Sequence, residues 1–73
     1  MYFTTIPYKL KDINDAIKIQ RKLKGYSQTY VATQLKLSQN AYSKSEIGKT
    51  KITVNTLFKI AEIFDMNVSD FFN

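Results

Sequence analysis

Residues 27 to 48 read S-Q-T-Y-V-A-T-Q-L-K-L-S-Q-N-A-Y-S-K-S-E-I-G, and two short helical patterns sit inside them. Each pattern opens on the same pair, Ser27-Gln28 and Ser38-Gln39. A serine hydroxyl accepts from an otherwise unpaired N–H of the first helical turn, which makes serine a favoured N-cap. At the helical period of about 100° per residue, Val31, Ala32 and Leu35 fall on one side of the first pattern. Thr29, Tyr30, Thr33 and Gln34 fall on the other. In the second pattern Ala41, Tyr42, Ser45 and Glu46 share one side, and Gln39, Asn40, Ser43 and Lys44 share the opposite one. Lys36-Leu37 makes the tight turn between the two helices, with Leu37 expected to fill the gap between them.

The outer row of the second helix carries hydrogen-bonding groups and no large apolar member. Such a row suits base edges in a major groove, where Gln and Asn pair with adenine and Lys with guanine. The stretch resembles the helix-turn-helix of the Cro/phage-repressor (XRE) family. The residues that carry the resemblance are Arg21, Gly25-Tyr26-Ser27-Gln28, Val31-Ala32, Leu35, Leu37-Ser38-Gln39, Tyr42-Ser43-Lys44, Glu46 and Gly48-Lys49, with Leu57 and Ile60-Ala61 downstream. They span about Ile13 to Phe72, most of the chain. The implied fold is all-α: a five-helix orthogonal bundle of the lambda-repressor-like kind, residues 12–73, preceded by a short extended N-terminal arm, residues 1–11.

Helix boundaries follow from local chemistry. Asp12 is a good N-cap for a first helix from about Ile13 to Lys24, with Ile13, Ala16, Ile17, Gln20 and Leu23 on its inner face. Gly25 and Gly48 are expected to end the first and third helices. Relatives often have Gly where Lys36 stands, and a lysine at positive φ costs about 1 kcal/mol. Thr53 caps a fourth helix, about Val54 to Phe64, whose buried stripe is Val54, Leu57, Ile60, Ala61 and Phe64. Asp65, where relatives usually have Gly, is expected to take the left-handed conformation. Asn67 with Asp70 resembles a capping box for a final short turn, Val68 to Phe72. The arm, M-Y-F-T-T-I-P-Y-K-L-K, is aromatic and β-branched, and Pro7 blocks a helix there. Three states are open to it: disorder, packing on its own domain, or pairing with a partner chain.

Composition bounds the chemistry. The chain has 73 residues and a formal net charge of +5. Between residues 21 and 51, Arg21, Lys22, Lys24, Lys36, Lys44, Lys49 and Lys51 stand against Glu46 alone, a net of +6. Residues 52–73 carry Lys59 against Glu62, Asp65 and Asp70, a net of −2. Positive charge is concentrated around the two short helices, as phosphate contact requires. With no Cys and no His, disulfides, thiol chemistry, the usual zinc site and Ser-His or Cys-His nucleophile pairs are excluded. No enzyme and no cofactor is expected. No apolar run approaches the ~20 residues of a membrane span, and no signal peptide is visible. A cytoplasmic, nucleoid-associated protein without a membrane partner is expected.

The resemblance implies roles residue by residue. Gln39 would contact a base, and Asn40, Ser43 and Lys44 are the other candidate base readers. Gln28 would hold a phosphate and brace Gln39. Tyr30, Lys49, Thr50 and Lys51 are expected to touch the DNA backbone. Arg21 and Glu46 would form a buried structural ion pair between the first and third helices. Ser45 departs from the family's large apolar residue; it either leaves space or bonds back to the carbonyl of Ala41. Ile47 also departs, standing where relatives often have a polar residue. Phe72 is a candidate for a dimer interface, and Phe71 for the core. The implied function is a transcriptional regulator, expected to act as a repressor, binding double-stranded DNA as a homodimer on a palindromic site. The alternative is an antitoxin or interaction module with the same fold, whose partner is a toxin or another protein and whose DNA binding is secondary.

Overall fold

The computed structural model of the chain describes residues 13–72. Four α-helices follow one another: α1, Ile13–Leu23; α2, Gln28–Gln34; α3, Gln39–Glu46; and α4, Val54–Ile63. The chain then closes with a 3-10 helix, Val68–Phe72. No strand occurs among the described residues. The expected fifth helix is therefore a 3-10 turn of five residues, too short to propagate α-helical bonding. The expected arm, residues 1–11, lies outside the described residues. No described helix is long and apolar enough to cross a membrane.

The starts of α2, α3 and α4 share one device. Ser27 Oγ accepts from the N–H of Tyr30 at 3.0 Å, Ser38 Oγ from Ala41 at 3.1 Å, and Thr53 Oγ1 from Thr56 at 3.1 Å. The ends share another. After each α-helix, a residue at positive φ turns the chain: Gly25 (79°), Lys36 (61°), Gly48 (82°) and Asp65 (56°). Its N–H returns to the carbonyl three residues back, to Lys22, Thr33, Ser45 and Glu62 respectively. The next N–H reaches five residues back: Tyr26 to Arg21, Leu37 to Ala32, Lys49 to Lys44 and Met66 to Ala61. This pair of bonds is the Schellman ending, and it satisfies carbonyls the helix leaves unpaired. Beyond α4, the Asn67 N–H donates to Asp70 Oδ2 at 3.0 Å, the half of the capping box in which the acid reaches back.

The core is Ile17, Val31, Ala32, Tyr42, Ile60, Ala61, Phe64 and Phe71. Rings run in series through it, with centroids 4.8 Å apart from Tyr30 to Tyr26, 5.9 Å from Tyr26 to Phe64 and 6.2 Å from Phe64 to Phe71. These tilted pairs stabilise beyond their buried area. Three apolar residues depart from their expected places. Leu23 is 73 % exposed, because the inner face of α1 passes through Ile17 and then Arg21, four residues on. Val54 is 70 % exposed; it shares a face with exposed Phe58, one turn later, while the buried stripe of α4 runs through Ile60 and Ala61 to Phe64. Leu37 is 41 % exposed, and its N–H closes the turn onto Ala32.

Candidate nucleic-acid interface

One carboxylate fixes the inner side of α3. Glu46 is buried, and so is Arg21 of α1. Arg21 Nε donates to Glu46 Oε2 at 2.6 Å and Arg21 Nη2 donates to Oε1 at 3.1 Å. This two-pronged geometry is the strong form of the Arg–carboxylate pair. Two further donors complete the shell: Tyr42 Oη to Oε2 at 2.6 Å and Gln28 Nε2 to Oε1 at 3.0 Å. The remaining arm of the guanidinium, Nη1, donates to the carbonyl of Tyr26 at 2.8 Å. Helices α1, α2 and α3 thus meet on a single side chain.

The electrostatics follow. Burial alone would raise the Glu46 carboxyl, but the hydrogen bonds from Arg21, Tyr42 and Gln28 outweigh it and hold the group below the usual carboxylate range. The hydrogen bond to Glu46 raises Arg21 further above its ordinary value, against the opposing effect of burial. Burial, and then the bond to Glu46, pushes the Tyr42 hydroxyl well up, so it stays protonated and donating. Sequence reasoning paired Arg21 with Glu46 but gave Tyr42 no part in the cluster. The signal was available: Tyr42 and Glu46 are four residues apart on one helix face.

Gln28 is half-buried and its amide donates to Glu46 rather than to Gln39. The contact to Gln39 comes from the next residue: Thr29 Oγ1 donates to Gln39 Oε1 at 3.0 Å. On the outward side of α3, Gln39, Asn40 and Lys44 are exposed and Ser43 is half-buried. Tyr30 is 43 % exposed at the start of α2.

The basic loop after α3 is tied back to the helix. The Lys44 carbonyl accepts from the N–H of Lys49 at 2.9 Å and that of Thr50 at 3.4 Å. Ser45 and Thr50 share a hydrogen bond between their hydroxyls at 3.1 Å, whereas Ser45 Oγ to the Ala41 carbonyl is a long 3.5 Å. Half-buried Ser45 is therefore mainly a tether for the loop. Lys49, Thr50 and Lys51 are all exposed beside the C-terminal end of α3, and Ile47 is 60 % exposed.

A family model described as helix-turn-helix matches residues 17–71, well over half of the chain. The chain belongs to the Cro/C1-type helix-turn-helix (XRE) family. The XRE family is one of DNA-binding transcription regulators, and α2, α3 and the turn between them lie within the matched residues. No curated protein and no solved structure matches the chain significantly.

Proposed function

We propose that this protein is a sequence-specific repressor that binds double-stranded DNA as a homodimer on a palindromic operator. The observation that carries the reading is the outward face of α3. Polar side chains of Gln39, Asn40, Ser43 and Lys44 stand on a helix whose inner side is held by Arg21 and Glu46. A rigid backing is what precise base contact needs, since positioned groups read a groove better than loose ones. Tyr30, Lys49, Thr50 and Lys51 flank the face as backbone contacts, and Gln28 keeps one amide N–H for a phosphate. Residues 12–73 are taken as the DNA-binding domain, with residues 1–11 as an arm.

Dimerisation is supported by the apolar pair Val54 and Phe58, exposed on α4, and Phe72, half-buried in the closing 3-10 helix, is a further candidate for the interface. A two-fold dimer would set two copies of α3 in successive major grooves, about 34 Å apart. A second reading, an interaction module serving a toxin or other protein partner, is supported by exposed Ile19 and Leu23 on α1. Selection of binding sites from a random duplex pool tests the first reading. An enriched inverted repeat is expected. A pool that remains random after several rounds would overturn it.

A further inference from the structure

We propose that Thr29 is a specificity-positioning residue whose hydroxyl sets the amide of Gln39 before DNA arrives. The inference deepens the reading of α3 as the base-reading helix and depends on it. Thr29 is the second residue of α2 and Gln39 the first of α3. Both are exposed, and their bond of 3.0 Å is, among the described residues, the one exposed side-chain hydrogen bond joining the two helices.

An exposed glutamine samples many rotamers, and holding it in one costs free energy when it binds. An exposed side-chain hydrogen bond between two unoccupied surface residues is otherwise of little use to stability, because water competes for both groups. Here it restrains a residue that leads the outward face. With one lone pair of Gln39 Oε1 taken by Thr29, the other lone pair and both Nε2 protons remain. These are an acceptor and a donor side by side, the set that adenine N6 and N7 require.

The division of labour on α2 is legible in the contacts. Gln28 turns in and is committed to Glu46; Thr29, one residue on, turns out to Gln39. The hydroxyl at position 29, and not the amide at position 28, therefore governs how Gln39 presents itself.

Thr29→Val keeps the branched shape and removes the hydroxyl, and Thr29→Ser keeps the hydroxyl. Both would be compared with the parent and with Gln39→Ala, first in site selection from a random duplex pool. Affinities would then be measured on the parent's best site and its single-base variants, at two salt concentrations. Thr29→Val is expected to lower preference by about two- to tenfold, the effect of freeing one ordered side chain. The loss should fall only at the base position that Gln39→Ala relaxes, with melting temperature and salt dependence unchanged. Thr29→Ser should restore it.

Parent-like preference in Thr29→Val would overturn the proposal, as would failure of the serine to rescue. Equal weakening on every sequence would instead make Thr29 a phosphate contact and overturn its positioning role. If the parent enriches no sequence, or Gln39→Ala keeps every preference, the fault lies in the base-reading role of α3, and the Thr29 proposal falls with it.

Discussion

At the residue scale the decisive group is Glu46. Removing one partner of a buried, hydrogen-bonded ion pair strands the other, at a cost of about 3–5 kcal/mol. Glu46→Ala is therefore expected to lose most of the stability of so small a domain, as read by urea titration. Acid should act on the same group. The folded carboxyl is held below its ordinary value near 4.5, so below that value the unfolded chain takes up a proton that the folded one refuses. The stabilisation is fully present above the ordinary value and is lost as pH falls through the lower, folded one. Stability measured from pH 7 to pH 3 should decline more steeply in the parent than in Glu46→Gln. The Arg21–Glu46 contact was legible because one arginine and one glutamate stand at positions that the family resemblance singles out. The inward turn of Gln28 was not, since helix periodicity gives a face but not which of two adjacent polar residues satisfies a buried acid.

At the element scale, the helices are defined as much by their ends as by their faces. The caps at Ser27, Ser38 and Thr53 and the turns at Gly25 and Gly48 follow from side-chain chemistry and were readable from the sequence alone, while those at Lys36 and Asp65 were expected from the glycine that relatives carry there. Ser38→Ala is expected to destabilise by about 1 kcal/mol, measured as a lowered thermal midpoint. Lys36 holds a φ of 61° that costs a non-glycine residue about 1 kcal/mol. Lys36→Gly should raise the midpoint by several degrees, at about 4–8 °C per kcal/mol for a domain of this size. A lower midpoint would mean that the lysine side chain makes a compensating contact. The faces were read less well. Leu23 and Val54 fit an apolar stripe by spacing, yet the inner positions go to Arg21 and to Leu57, Ile60 and Phe64. Apolar periodicity cannot register a buried charge, so it slid past the one on α1.

At the scale of the whole molecule, charge and exposed apolar surface lie on different elements. Cations cluster around α2, α3 and the loop that follows, while Val54 and Phe58 stand exposed on α4. With about two phosphates neutralised per subunit, by Lys49 and Lys51, binding of a dimer should show a log–log salt slope of about −4. A slope near zero would count against backbone contacts by Lys49 and Lys51. Phe58→Glu is expected to shift the sedimentation profile towards monomer and flatten that slope by about half. A profile like the parent's would place the subunit interface elsewhere. Because one carboxylate joins three helices, α3 has no inexpensive way to fray on its own. In deuterated buffer, the amides of Tyr42 to Glu46 should then trade their protons only through global unfolding, in step with Ile17 and Ile60. The helix that faces outward would be as slow to exchange as the centre of the core.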